Sequence, residues 1–181
     1  MPPRVLFLLL SAMTANSAHA GDLQFGWSAG GSKSSWPGDG TVHSSLKLGY
    51  RFHDLVGVYL LTRLGYGAVD DRMLTLVSLG GQIWGRLGRT RPFFRAAVAH
   101  QHEESAAALE AQPVGAVFGV GDGIRHRTGV DAGMGLDIPF WHGQRWQLAG
   151  TIEGTATWLT FSSGPSWYWG GNLGLALHYT H

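Results

Sequence analysis

The chain has 181 residues, with 13 lysines and arginines against 12 aspartates and glutamates, and no cysteine. The near-neutral balance leaves no electrostatic footprint for nucleic acid, and the missing thiols exclude disulfides and cysteine-linked lipid. Charged residues are only 14% of the chain, against roughly 25% in ordinary soluble domains, whereas glycine (28) and aromatics (12%) are abundant.

Residues 1–20, MPPRVLFLLLSAMTANSAHA, place Arg4 before the apolar stretch Val5 to Leu10 and close on Ala18-His19-Ala20. That layout predicts a cleaved secretory leader over 1–20, too short to span a bilayer, followed by one domain over 21–181. No long apolar run follows, so any membrane contact must be made by strands.

From Gly21 onward the recurring period is two, the signature of strands with one apolar face. Leu23, Phe25, Trp27 and Ala29 alternate with Gln24, Gly26 and Ser28; Val42, Leu46, Leu48, Tyr50 and Phe52 alternate with His43, Ser45, Lys47, Gly49 and Arg51. A third strand is predicted over 56–69 and a fourth, less regular, over 73–87, with Val77, Leu79 and Ile83 outward and Trp84 and Arg86 breaking the pattern. The fifth, 92–102, sets Phe94, Ala96 and Val98 against Arg95, Ala97, Ala99 and Gln101. In the sixth, 124–140, Val130, Ala132, Met134, Leu136 and Ile138 oppose Arg125, Arg127, Asp131 and Asp137. The seventh and eighth present Trp146, Leu148, Ile152 and Trp158, then Trp167, Trp169, Leu173, Leu175, Leu177 and Tyr179, with Glu153, Asn172 and His178 on the other side.

One parity is almost uncharged in all these segments, while the other mixes glycine with Arg, Lys, Asp and Glu. A soluble sandwich has the reverse arrangement, so the fold class expected is all-β, an eight-stranded antiparallel up-and-down transmembrane β-barrel. Trp146 and Trp158 would stand about 30 Å apart in height, at about 3.3 Å per residue and a tilt of about 40°, which matches two interfacial girdles. Backbone groups in hydrocarbon must all be paired, so the sheet has to close, and eight strands leave a bore that side chains can fill.

The final stretch NLGLALHY carries Asn172, Gly174, Leu177 and Tyr179 in the order polar, glycine, hydrophobic, aromatic. It is similar to the C-terminal β-signal of outer-membrane barrels, and the chain resembles small eight-stranded outer-membrane β-barrel proteins of the OmpA/OmpX type over its whole length after the leader. The resemblance implies a bacterial outer-membrane location with periplasmic termini. It also implies contact with outer-membrane lipid and lipopolysaccharide, insertion by the outer-membrane assembly machinery, a monomeric state and no cofactor.

Two groups of residues could hold chemistry. Lys47, Arg51, Arg63, Arg95, Arg125 and Arg127, with Asp131, Asp137 and Glu153, face the bore; they are expected to form a lumen ion-pair network, with an anion-attracting interior as the alternative. A register with Arg95 opposite Asp131 and Arg89 opposite Asp137 is predicted, which also puts His100 opposite His126, with His102 beside them at the extracellular rim. These three imidazoles could ligate zinc or copper, but the plainer expectation is that they decorate the rim at the polar headgroup level, touching lipid phosphates when protonated. Alternatively Ser105 could act as nucleophile with His102 or His100 as base and Glu103 or Glu104 as orienting acid, in a lipid A-modifying hydrolase. Against this, adjacent loop residues seldom form a triad, and a non-enzymatic barrel serving envelope structure or surface interaction is the leading expectation. The connection 103–123 could make a helical turn or two and fold over the barrel mouth or bind a partner, but a solvated loop is the plainer expectation.

Overall fold

The computed structural model describes residues 21–121, 123–160 and 164–180; the predicted leader, 1–20, lies outside them. Eight strands run β1 Asp22–Ser34, β2 Gly40–His53, β3 Val56–Gly67, β4 Arg72–Trp84, β5 Arg91–Ser105, β6 Arg125–His142, β7 Trp146–Thr160 and β8 Trp167–Thr180. Each pairs antiparallel with its chain neighbours, and β1 pairs with β8, closing the barrel. Closure removes both sheet edges, so the strands' backbone donors and acceptors are satisfied within the wall. No helix among the described residues is long and apolar enough to cross a membrane.

The alternation produces a wall with reversed polarity. Val98, Leu173, Met134 and Trp158 point outward and are more than half exposed, whereas Arg95, Asp131, Gln82 and Asp137 point inward and are buried. Trp84, irregular in the sequence pattern, is one of the inward residues: its indole Nε1 donates to Asp137 at 3.4 Å.

The β2–β3, β4–β5 and β6–β7 connections, none longer than six residues, lie at the end where Asp22 of β1 pairs with Thr180 of β8, and the longest connection, between β5 and β6, lies at the other. Around this end Tyr50, Leu23, Tyr179 and Trp146 lie side by side across four strands, with the Trp146 and Tyr179 rings 4.5 Å apart. At the opposite, long-connection end Trp158 pairs directly with Trp167. A 3-10 turn, Val69–Asp71, joins β3 to β4, and two short helices, α1 Ala106–Ala111 and α2 Pro113–Val117, lie between β5 and β6.

Two expectations are corrected here. The β5–β6 register is displaced by two residues from the predicted one: Arg95 faces Gly133, Asp131 faces Ala97, and Asp137 faces Arg91, while Arg89 belongs to the β4–β5 turn. A slip of two keeps every side chain on its face, so the apolar pattern cannot discriminate between the registers. Gly133 supplies the discrimination, because a Cβ there would collide with the Arg95 and Glu153 side chains. Strand β5 also runs three residues beyond its predicted end, making Glu103, Glu104 and Ser105 part of the wall. Consequently the connection starts higher, and its first residues lie on the outer face: Ala106 and Leu109 line a groove with the outward Val42, Leu64, Tyr66 and Met73.

Candidate functional site

The bore is bridged from β3 to β7 by one set of charges. The Arg95 guanidinium holds Asp131 through Nη1 and Glu153 through Nε, and donates to the Tyr59 hydroxyl at 3.2 Å. Asp131 also accepts from Thr157 Oγ1 at 2.6 Å and pairs with Arg63 at 3.5 Å. Nearer the long connections, Glu103 receives Arg127 at 2.7 Å, Gln101 at 2.9 Å and the Tyr168 hydroxyl at 3.3 Å. Arg72 joins this layer to the β1–β2 connection, reaching Glu103 at 3.5 Å and Asp39 at 2.7 Å. Toward the short turns, Asp137 accepts from Thr151 at 2.8 Å, Lys47 Nζ donates to Gln82 at 3.1 Å, and Arg51 pairs with Asp22. Arg125 stands opposite Glu103 in register.

The predicted basic surplus inside the bore is offset by acids that the sequence pattern did not place there: Asp22, Asp39 and Glu103 are all buried in it, each with an arginine partner. Alternation continued past His102 would have found Glu103. Asp39 could not be found in this way, because it lies in a connection and reaches Arg72 only through the closed fold. Charges taken out of water need such partners: Arg51, Arg63, Arg72, Arg95 and Arg127 each pair with an acid and Lys47 is held by Gln82, so this network packs the interior as a plug. Between His43, Arg63, Gln101 and Tyr168 the packing leaves about 20 Å³, room for about one water.

The second cluster is on the outside of the wall. His100 and His102, two apart on β5, point outward together, and His126 on β6 sits directly opposite His102, not His100 as the predicted register had it. His126 Nδ1 lies 3.3 Å from His100 Nε2, and one ring nitrogen from each of the three falls within 4.8 Å of the others. The connection covers part of this patch at Gly119, which at φ 71° lies so close to the His102 ring that a Cβ would strike it. The left-handed backbone and the close approach both require glycine there.

The residues named for hydrolysis are not brought together. His102 points outward and Glu103 inward, so the wall separates base from acid. The Ser105 hydroxyl is engaged as the N-cap of α1, accepting from Ala108 N at 3.3 Å. Glu104 is on the histidine side, but its carboxylate makes no hydrogen bond among the described residues.

At the C-terminal strand, Asn172 points into the bore, where its amide Nδ2 donates to Glu153 at 3.4 Å and its Oδ1 lies 2.6 Å from His43 Nε2. Gly174 backs onto β1, where a Cβ would press on Ser28. Leu177 lies on the outward parity, and Tyr179 packs on Trp146.

Three solved structures share this architecture over nearly their whole length. Neisserial surface protein A, NspA, aligns with a TM-score of 0.63 at 11% identity, covering 92% of this chain and 100% of that one. The chain has the fold of the small outer-membrane β-barrels. The N-terminal barrel domain of Pseudomonas aeruginosa OprF aligns with a TM-score of 0.50 at 16% identity, covering 88% of this chain and 99% of its own. Ail, the attachment invasion locus protein of Yersinia pestis, aligns with a TM-score of 0.50 at 14% identity, covering 88% and 97%. No family model and no curated protein sequence matches this chain.

Proposed function

We propose that the protein is a non-enzymatic barrel of the bacterial outer membrane that serves envelope structure and surface interaction, presenting its long connections to the cell exterior. The observation carrying this reading is a closed wall, apolar outside, around a bore filled by paired charges. Such a wall is stable only where hydrocarbon surrounds it, and such a plug leaves no lumen for solutes. What remains available for interaction is the rim, where the β1–β2, β3–β4, β5–β6 and β7–β8 connections emerge. The reading further has the leader cleaved, both termini periplasmic, lipid and lipopolysaccharide against the wall, and insertion directed by Asn172, Gly174, Leu177 and Tyr179.

The test combines fractionation with two activity measurements. The protein is expected in the outer-membrane fraction, with heat-modifiable gel mobility and no discrete conductance steps in planar bilayers. Its strong expression should leave the lipid A mass spectrum unchanged, with Ser105→Ala indistinguishable from wild type. A mature chain recovered as a soluble monomer without amphiphile overturns the location, and a new lipid A species lost in Ser105→Ala overturns the non-enzymatic role.

A further inference from the structure

We propose that His100, His102 and His126 form a binding site for a divalent transition-metal ion of the zinc class, on the outer face of the barrel beside Gly119. All three imidazoles come from one β-hairpin, two from alternate positions of β5 and one from the facing position of β6, so the hydrogen-bonded wall sets their spacing before any ion arrives. Two nitrogens bound to one tetrahedral zinc, at about 2.0–2.1 Å each, lie about 3.3 Å apart. His100 Nε2 and His126 Nδ1 are 3.3 Å apart, and the set closes within 4.8 Å, so small ring rotations complete the site.

A hydrogen bond between two neutral imidazoles would account for that one separation, but not for the surroundings. The outward face beside the cluster holds a group of buried polar atoms without partners among the described residues: His102 Nδ1, Thr75 Oγ1 and both carboxylate oxygens of Glu104. Thr75 is the β4 residue facing His102, and Glu104 is the next outward residue of β5. A buried carboxylate without a donor is costly. A dication on the three histidines supplies the missing charge, and water in its fourth coordination position supplies donors within reach of Glu104, which then orients that water.

The position also suits an ion from the medium. His126 is four residues along β6 from Val130, which faces the girdle residue Trp158. At about 3.3 Å per residue and a tilt of about 40°, that is about 10 Å above the girdle, outside the hydrocarbon. Three neutral nitrogens with one open position favour zinc or copper over magnesium or calcium, which take oxygen ligands.

The experiment uses the folded protein in detergent, prepared without a polyhistidine tag, and zinc competed against a chromophoric chelator. One equivalent is expected to bind with a Kd of about 1 μM or tighter. His100→Ala and His126→Ala should each weaken binding by about 100-fold, and Glu104→Gln by about 10-fold as an outer-shell partner. His142→Ala serves as control, since His142 sits at the short-turn end against Gln147. Heat-modifiable gel mobility verifies folding of each variant. X-ray absorption at the zinc edge of the wild-type protein gives a reading independent of any variant, and three imidazoles with one oxygen are expected. The proposal is overturned by no binding at about 100 μM zinc, by unchanged affinity in the folded His100→Ala and His126→Ala proteins, or by an oxygen-dominated shell.

Discussion

Replacing Arg95 tests whether the bore is a packed plug. Arg95→Met keeps most of the volume but removes the cation from Asp131 and Glu153, which are both buried. Asp131 would retain Arg63 at 3.5 Å and Thr157 at 2.6 Å, whereas Glu153 would retain only Asn172 at 3.4 Å. Removing one partner of a buried pair costs about 3–5 kcal/mol, and the contacts left to Asp131 place this variant near the lower end, at about 3 kcal/mol. Asp131→Asn leaves Arg95 with Glu153 and Tyr59 but takes from buried Arg63 the carboxylate it pairs with, so it should cost a similar amount, about 3 kcal/mol. The two share a network, so the double variant should fall short of the sum by about 1–2 kcal/mol. Urea unfolding in lipid vesicles, followed by tryptophan fluorescence and gel mobility, measures all three. A loss below about 1 kcal/mol for Arg95→Met, with additive behaviour, is what solvated and screened charges give. That result would mean a water-filled lumen and would refute the plug.

Glycine packing provides a second check: Gly133→Val should lose about 2 kcal/mol or more by forcing Arg95 and Glu153 apart, while Gly150→Ala, with nothing within 4 Å of the new methyl group, should stay within about 0.5 kcal/mol in the same unfolding assay. On the outer wall Ile152→Arg, midway between Trp146 and Trp158 on β7 and exposed, should cost about 2–4 kcal/mol in vesicles, and Leu55→Arg in the β2–β3 turn about 0–1 kcal/mol. Equal costs at the two positions would place the bilayer elsewhere on the wall. Tyr179→Ala removes the partner of Trp146 and should lower stability in vesicles by about 1 kcal/mol. In cells the same change should reduce outer-membrane levels by more than that loss explains, measured by quantitative blotting of membrane fractions.

Most of the fold was legible in the residue order, because strand periodicity is a local property. Alternate side chains of a pleated strand leave on opposite faces whatever the neighbouring strand is, so Val98 outward and Arg95 inward could be assigned from residues 92–102 alone. Strand number, and the need for β1 to meet β8, followed from the same alternation and from the cost of unpaired backbone in hydrocarbon. The candidate sites were legible only as residue types and faces. The end of β5 was obscured because Glu103, Glu104 and Ser105 are all polar, so alternation between them has no apolar member to mark it. Strand continuation then put Glu103 with Arg127 and Glu104 with the histidines, on opposite sides of the wall.

Pairings across the sheet belonged to the tertiary structure. Registers two residues apart expose the same faces, so the choice among them depends on where bulk fits. The empty side of Gly133 receives Arg95, which reaches Asp131 diagonally and brings His102, not His100, against His126. The course of residues 106–121 was decided in the same way, since an apolar segment can settle on a mouth or on a wall. Here α1 lines one side of the outward groove beside Tyr66 and Met73, and the close approach of Gly119 sets the chain on His102. Periodicity records which face a side chain leaves from, and only the closed barrel determines what it meets there.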